Sequence, residues 1–210
     1  MIIAVDGPAA SGKGTIARAL AKHYGLPHLD TGLLYRAVAL NVLRHELDPA
    51  IEADCMAASD FDDAMLNAAE LRDDEIGQTA SIVSAHPLVR AALLQRQRRF
   101  ANQPGGAVLD GRDIATVVAP HADAKLFVQA TPNVRAKRRH NELRAQGSGV
   151  SLDKVLADIR VRDQRDTHRA AAPLTLTNDA ALLDTSFLSI DSAIQRAIAL
   201  VEYRIANAPA

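Results

Sequence analysis

A glycine-rich segment follows directly on an apolar run at the start of the chain, and it limits the fold more than any other feature. The apolar residues 2–5 predict a short buried strand, and the apolar positions in 16–21 predict a helix. The segment between them contains Gly7, Pro8, Ala9, Ala10, Ser11, Gly12, Lys13, Gly14 and Thr15. In such a strand–turn–helix, backbone N–H groups and the positive end of the helix dipole face a polyphosphate, and a lysine adds a full charge. The segment therefore predicts a binding loop for the phosphates of a nucleoside triphosphate.

The last residues of this loop narrow the class of nucleotide-binding protein. The general pattern ends in Gly-Lys followed at once by Ser or Thr, whereas here Gly14 stands between Lys13 and Thr15. This ending resembles the nucleoside monophosphate kinases more than the GTPases or the motor ATPases. The alternative is a glycine-rich turn with an incidental lysine, and the strand and helix on either side argue against it.

Composition and charge exclude several other classes. A length of 210 residues fits one domain, and 48% hydrophobic with 23% charged residues is ordinary for a globular protein. A net charge of −1 argues against a generally basic nucleic-acid binder, and no apolar stretch approaches the roughly 18 residues of a membrane span. Cys55 alone cannot form an internal disulfide. We therefore expect a cytoplasmic protein that binds neither membrane nor nucleic acid and, because no long apolar surface helix stands out, a monomer.

The charged residues are unevenly distributed. Residues 46–75 hold eleven acidic side chains and one basic one, Arg72. Arginine concentrates in the segments 90–99, 135–144 and 160–169. Such clusters in a nearly neutral chain indicate local binding of small anions, although solvated helix faces would give the same pattern.

Short apolar runs alternate with helical patterns along the chain. The strands are predicted at residues 2–5, 28–30, 107–110, 125–128 and 181–184. These runs are continuously apolar, as in a sheet covered on both faces, so we predict an α/β fold with a parallel five-stranded sheet flanked by helices.

Cap residues mark where several helices begin. Thr131, which precedes a proline, and Ser151 are predicted to cap two helices through their hydroxyls. Gly32 and Pro87 are predicted to open two others, and the glycines of 147–149 to break one. The last helix is predicted to bury one face made of Ile194, Ile198, Val201 and Ile205.

Polar residues follow four of the predicted strands. They are Asp6-Gly7, Asp30-Thr31, Asp110-Gly111-Arg112-Asp113 and Asp184-Thr185. Because ligands bind at the carboxyl ends of parallel strands, we expect the first three groups to meet in one crevice. The fourth carries no recognisable motif.

Four separated segments resemble the bacterial cytidylate (CMP) kinases. They are Asp6-Gly7-Pro8 with Ser11 to Thr15; Asp30-Thr31-Gly32 with Tyr35-Arg36; Asp110 to Asp113 with Thr116-Val117-Val118; and Arg162-Asp163 with Arg165-Asp166, Arg169 and Ala172-Pro173-Leu174. The resemblance covers nearly the whole chain except about residues 45–75. It implies a P-loop nucleoside monophosphate kinase that transfers the γ-phosphoryl group of ATP to CMP and dCMP, with Mg²⁺ as a cofactor. It also implies a core at about 1–44, 84–137 and 170–210, a small acceptor-binding insertion at about 45–83 and a lid at about 138–169.

The resemblance assigns the acceptor nucleotide's phosphate to arginines. Arg36 and Arg112 are expected to reach the α-phosphate, and Arg162 and Arg169 to face phosphate, because a guanidinium donates two parallel hydrogen bonds to phosphate oxygens. Asp166 is expected to accept from the ribose hydroxyls. Arg162, Asp166 and Arg169 are spaced i, i+4 and i+7, so a helix would place them on one face, as it would an exposed ion-pair ladder.

The same resemblance places three residues at the base. Asp113 is expected to accept from the cytosine amino group, and Arg90 and Ser81 to donate to the ring nitrogen and carbonyl. Uracil presents a carbonyl in place of the amino group, and this would face the carboxylate unfavourably. Thr31 is expected to offer its hydroxyl to the phosphate or the sugar.

The donor side is assigned to the loop and the lid. Arg138 or Arg139 is expected to stack on adenine or to neutralise phosphates, in a lid that closes over the triphosphate. Asp110 is expected to orient Mg²⁺ through water, and Thr15 to touch the metal or the β-phosphate; no other direct metal ligand is expected. The expected catalytic residues are Lys13, Arg36, Arg112, Arg162 and Arg169.

Two other functions remain open on the sequence. One is a related kinase for another small acceptor such as UMP or shikimate, and Asp113 argues against uracil. The other is a GTPase-like switch, but Thr177-Asn178-Asp179 lacks the lysine that a guanine-reading motif requires. A zinc site is not predicted, because one cysteine and unclustered histidines give no metal-ligand spacing, including His121, His140 and His168.

Overall fold

The structure is a computed structural model that describes residues 1–207. Its strands are β1 (Ile2–Asp6), β2 (His28–Asp30), β3 (Ala107–Gly111), β4 (Ala124–Gln129) and β5 (Ala181–Asp184). In the described residues they form one sheet with the order β2-β3-β1-β4-β5, and all neighbouring strands are parallel. The predicted α/β fold, a parallel five-stranded sheet flanked by helices, is confirmed.

Helices connect these strands and cover the sheet. They are α1 (Lys13–Tyr24), α2 (Thr31–Arg44), α3 (Glu52–Ala57), α4 (Asp74–Val83), α5 (Pro87–Ala101), α6 (Pro132–Ala145), α7 (Leu152–His168) and α8 (Ile190–Ala206). Shorter turns of 3₁₀-helix lie at Asp63–Asn67 and Ala69–Arg72, and a π-helical turn lies at Ile114–Val118.

The predicted helix starts are partly right. α5 begins at Pro87, and the Ser151 hydroxyl accepts from the backbone N–H of Lys154 at 3.3 Å at the start of α7. The prediction that Gly32 opens α2 is wrong by one residue, because the Asp30 carboxylate accepts from the Gly32 N–H at 2.9 Å and so caps a helix that begins at Thr31.

Two other helix predictions are wrong. Thr131 precedes α6, but its hydroxyl makes no capping hydrogen bond; the proline that follows already fixes the first helical turn. On α8 the buried residues are Ala193, Ala197 and Val201, whereas Ile205 is 39% exposed. Val201 of the predicted face is buried and Ile198 packs partly against the same cluster, but Ala193 and Ala197 take the other buried positions because small side chains let this helix lie close to the sheet.

β1 lies in the middle of the sheet, with apolar side chains on both faces. On one face Ile3 and Val5 belong to a buried cluster with side chains of α1 and α8. On the other face Ala4 packs with Leu109 and with Ile114 of the π-helical turn. The carboxyl end of β1 therefore continues into the glycine-rich loop from a strand that is fixed on both sides.

Residues 45–83 share one buried cluster with α2 and α5, and the α6–α7 hairpin has a cluster of its own. The first segment is helical where it is regular, and Cys55, Leu71 and Ile76 are buried in one cluster with residues of α2 such as Val38. The hairpin buries Ala136, Leu143, Val155 and Ile159. The limits given above for core, insertion and lid remain predictions, and residues 208–210 of the predicted core lie outside the described residues.

Candidate active site

The glycine-rich loop joins β1 to α1, and its backbone turns sharply between them. Gly7 has φ +155°, and a Cβ there would run into the backbone carbonyl of Val128, so only glycine fits. Ala10 and Gly12 have φ of +57° and +92°, and Gly12 is the residue before the helix. α1 begins at Lys13, so the N–H groups of Lys13 and Gly14 lack helical partners and are available to an anion, whereas the Thr15 N–H donates to the Gly12 carbonyl at 3.1 Å.

A cavity of about 590 Å³ lies over this loop, and its lining combines polar and apolar residues. The polar residues include those of the loop with Arg138, Glu142 and Thr185, and the apolar residues include Leu188, Ile190, Ala193 and Ile194. A triphosphate with an aromatic base has the same two kinds of surface. The cavity therefore suits a nucleoside triphosphate in its chemistry.

Thr185 connects the end of β5 to the loop. Its buried hydroxyl lies 2.9 Å from the Ser11 carbonyl and receives a hydrogen bond from Arg138 Nη1 at 3.0 Å, while Arg138 Nη2 donates to the Thr185 carbonyl at 2.7 Å. The sequence shows no recognisable motif at the end of β5. The contact shows that the end of β5, like the other strand ends, belongs to the site.

Lys13 lies at the bottom of the loop beside a buried carboxylate. Its Nζ is 3.4 Å from Asp110 Oδ2, and Asp110 Oδ1 is 2.8 Å from His28 Nε2. Burial disfavours ionisation of Asp110, but Lys13 and His28 outweigh burial and lower its pKa. Burial lowers the pKa of Lys13. A carboxylate held ionised beside the loop gives this end of the site an anionic oxygen as well as a cation.

Four predicted residues meet on the other side of the loop. Arg112 Nε donates to Asp166 Oδ2 at 2.7 Å, and Arg162 Nε lies 4.0 Å from the same oxygen. Burial opposes ionisation of Asp166, but Arg112 and Arg162 outweigh it and lower its pKa. Burial and the charge of Arg112 lower the pKa of Arg162 to about 10. One carboxylate thus neutralises only part of a positive cluster to which Arg169 adds a further charge.

Arg162, Asp166 and Arg169 were predicted to share one helical face. This prediction is wrong for Arg169, which joins the cluster from beyond the end of α7. α7 ends at His168, and Arg169 follows it with extended φ and ψ. Its Nε donates to the Ala172 carbonyl at 2.8 Å, and its Nη2 lies 3.8 Å from Asp113 Oδ1. Within residues 1–207, Arg162 Nε and Arg169 Nη2 are buried and make no hydrogen bond. Each of these two guanidinium groups therefore retains a buried donor that is free for an anion.

The three residues predicted to read the base are held by different partners. Arg90 Nη2 is paired with Asp113 Oδ2, and the Arg90 guanidinium lies 5.5 Å from the centre of the Tyr35 ring. The Ser81 hydroxyl accepts from Arg165 Nη1 at 2.7 Å. Asp113 and Arg90 are therefore in contact, whereas Ser81 is bonded to a residue that the sequence did not assign to the base.

Arg36 and Thr31 both lie on α2 and are held by backbone oxygens. Arg36 Nη1 donates to the carbonyls of Leu71 and Asp73 at 2.7 and 3.2 Å. The Thr31 hydroxyl donates its single hydrogen to the Asp110 carbonyl at 2.8 Å. While that bond is made, Thr31 can only accept, which suits a sugar hydroxyl and not a phosphate oxygen.

A second cavity, of about 220 Å³, lies between the loop and the arginine cluster. Its lining includes Ala9 and Ala10 of the loop, Arg36, Arg162 and Arg139. Arg139 Nη2 also donates to Asp74 Oδ1 at 2.7 Å, and so links α6 to α4. Three arginines therefore face the same space as the loop, together with the carboxylates of Asp74, Glu142 and Asp158.

Comparison with known proteins identifies the family. The model of the family described as cytidylate kinase matches residues 3–203. The chain belongs to the cytidylate kinase family. A cytidylate kinase of Xanthobacter autotrophicus is 60% identical, with 99% of this chain and 100% of the relative aligned, and one of a Methylobacterium species is 59% identical over 97% and 98%. An uncharacterised protein from Eubacterium ventriosum has a similar fold, with a TM-score of 0.56 at 15% identity over 96% of this chain and 98% of the other.

No individual role in this cytidylate kinase family site was predicted from the sequence for Arg135, Arg165 or His28. Arg135 forms a bidentate pair with Asp163 at 2.9 and 2.6 Å, and only such tertiary contacts reveal roles for these three residues.

Asp6 was expected in the crevice because it ends a predicted strand, but its partners were not predicted. Its buried carboxylate accepts from the N–H groups of Ile114 and Ala115 at 2.9 and 2.8 Å, and burial raises its pKa to about 7 against those two bonds.

Two further observations concern what this family member does not contain. In the part of the chain that the structure describes, no three or more His, Cys, Asp or Glu side chains are placed together to hold a metal ion. Among the same residues, no helix has the length and apolar character needed to cross a membrane.

Proposed function

We propose that the protein transfers the γ-phosphoryl group of ATP to CMP, and to dCMP, forming CDP or dCDP and ADP. The observation that carries this proposal is a small cavity lined by Ala9 and Ala10 of the loop and by three arginines, Arg36, Arg139 and Arg162. Within residues 1–207, the buried Arg162 Nε makes no hydrogen bond. Transfer between two nucleotides requires two phosphate sites that face each other with positive charge between them. Membership of the cytidylate kinase family supports CMP as the acceptor.

The donor nucleotide is proposed to lie along the larger cavity. The loop N–H groups and Lys13 bind its β- and γ-phosphates, as at other helix N-termini that bind anions. The apolar residues of 188–194 receive the adenine ring, and Arg138, fixed to Thr185, closes the cavity beside it. These residues exclude water and hold the γ-phosphate facing the acceptor.

The residues present beside the loop fit Mg²⁺. Asp110 Oδ2 is buried and accepts no hydrogen bond from any residue in 1–207, and it faces the loop near Lys13 and Gly14. Asp110, through water, and the Thr15 hydroxyl are oxygen donors of the kind that Mg²⁺ prefers. When bound with ATP, the ion would neutralise charge on the transferring phosphate.

The acceptor phosphate is proposed to be bound by Arg36, Arg112, Arg162 and Arg169. Its oxygen is already a nucleophile, so no strong general base is required. The arginines hold that oxygen in line with the γ-phosphorus and neutralise the charge that spreads over the transferring group. Asp166 accepts from the ribose hydroxyls when the acceptor displaces part of its ion pairing.

The base is proposed to be selected by Asp113 and Arg90. The Asp113 carboxylate accepts from the cytosine amino group, and Arg90, already held against it, donates to a ring acceptor. Ser81 donates its hydroxyl hydrogen to the base while its oxygen accepts from Arg165.

An acceptor panel tests the proposal. The protein is mixed with MgATP and, separately, with CMP, dCMP, UMP, AMP, GMP or shikimate, and ADP release is followed with a coupled assay. We expect turnover with CMP and dCMP to exceed that with every other acceptor. Turnover with another acceptor and none with CMP would contradict the proposed function.

A further inference from the structure

We infer that Gly77 is a positioning residue for Arg36, because the missing side chain on α4 leaves the space in which the Arg36 guanidinium lies. This inference rests on the proposed function, in which Arg36 binds the acceptor phosphate. Gly77 belongs to none of the sequence motifs described above. Its unusual feature is that it lies in the middle of α4.

The contact between the two residues is close. A Cβ built on Gly77 would lie 2.7 Å from Arg36 Nη2 and 3.2 Å from both Cζ and Nη1. On its other side, the guanidinium donates to the carbonyls of Leu71 and Asp73. The bare backbone of α4 and these two carbonyls therefore confine the guanidinium.

One face of α4 is in contact with arginines from three other helices. Asp74 accepts from Arg139 of α6 at 2.7 Å, and Ser81 accepts from Arg165 of α7 at 2.7 Å. Gly77 lies between them on the same face, at i+3 from Asp74 and four residues before Ser81. Asp74 and Ser81 bind their arginines through their side chains, whereas Gly77, which has no side chain, leaves space for Arg36.

The helix itself gains nothing from glycine at this position. Glycine inside a helix is less favourable than alanine by about 1 kcal/mol. An added methyl group would meet the flexible end of Arg36 and not the backbone, so the arginine can move while α4 keeps its place. We therefore expect alanine at this position to preserve or raise stability and to displace Arg36 from its two carbonyl partners.

The test uses the full-length chain and the variants Gly77→Ala, Arg36→Met and the double variant. Gly77→Ala is expected to raise the KM for CMP by about tenfold, because displacement of the Arg36 guanidinium weakens its binding of the acceptor phosphate. The KM for ATP should stay within about twofold and Tm should be equal or higher. In the Arg36→Met background, the same substitution should change the KM for CMP by less than about twofold, because its target is gone. Glu75→Ala, an exposed change on the same helix, is the control and should change neither KM.

The outcomes separate this inference from the proposed function. An unchanged KM for CMP in Gly77→Ala, an equal rise in the Arg36→Met background, or a fall in Tm would each overturn the role of Gly77. Absence of CMP-dependent turnover in the unmodified protein would instead overturn the proposed function, and the role of Gly77 with it.

Discussion

The donor half and the acceptor half of the site are built in different ways. The phosphate-binding part of the donor half is a continuous loop, residues 7–15, that extends from the central strand into α1. Arg138 and Thr185 join this loop from other elements. The acceptor half is assembled from side chains on separate elements, with Arg36 on α2, Arg90 on α5, Arg112 after β3 and Arg162 on α7. The first depends on local backbone geometry, and the second on the tertiary structure that brings buried arginines together. A change in the loop should therefore affect the donor, and a change in the cluster the acceptor, with limited effect across the cavity.

The largest expected effect follows from the loss of Lys13, the lysine of the donor loop. Lys13→Met should lower kcat by about 10³-fold, because it removes a buried cation from the group that is transferred. Steady-state kinetics with CMP and MgATP measure this loss. Lys22→Met, an exposed lysine in the last turn of the same helix, is the matched control and should have wild-type kinetics. A similar kcat in the two variants would contradict the donor assignment.

A smaller effect, confined to the acceptor, is expected at Asp113. Asp113→Asn should lower the ratio of kcat/KM for CMP to that for UMP by about 10- to 100-fold, because its amide offers uracil a donor and cytosine a weaker acceptor. The KM for ATP should not change. The ratio is measured with both acceptors at saturating MgATP. An unchanged ratio, or equal damage to the use of ATP, would show that Asp113 does not read the base.

An effect confined to the donor is expected at Thr185. Thr185→Val keeps the shape but removes the hydroxyl from its buried contacts with the Ser11 carbonyl and Arg138. The loss of such a hydrogen bond is worth about 1 kcal/mol, so we expect the KM for ATP to rise about three- to tenfold while the KM for CMP stays constant. Thr175→Val, at an exposed threonine, is the control. A rise in the KM for CMP alone would reverse the assignment of this strand end.

The smallest expected effect is on the free energy of unfolding, and it should leave both the donor half and the acceptor half of the site unchanged. Ser151→Ala removes the hydroxyl cap of α7, at the opposite end of that helix from Asp166. The free energy of unfolding should fall by about 1 kcal/mol, as for other serine caps. Chemical denaturation measures that change, and the KM values for ATP and CMP should both stay as they are. A change in the KM for CMP would mean that the acceptor half depends on the start of α7.

The same comparison explains how much the sequence could predict. The strands and the loop were predictable because their signals are contiguous: apolar runs followed by glycines and a lysine. The resemblance then brought together Arg112, Asp113 and Asp166, which the structure places close to one another. The individual roles of the predicted site residues remain predictions until the variants are measured.

What the sequence could not predict depends on contacts between distant residues. Thr185 contacts the loop only because β5 ends beside it. His28 contacts Asp110 only because β2, which begins at His28, pairs with β3. Arg169 leaves the helix that its spacing favours, because α7 ends at His168 and the chain turns towards Asp113. Gly77 has no local signal, since only the side chain of Arg36 explains the need for glycine there.

The most direct test of phosphoryl transfer between the two halves is identification of the products. The protein is incubated with MgATP and CMP, and the phosphorus NMR spectrum is followed to equilibrium. The account predicts that CDP and ADP appear in equal amounts, without inorganic phosphate. ADP and inorganic phosphate without CDP would contradict it, because the γ-phosphoryl group would then have been transferred to water.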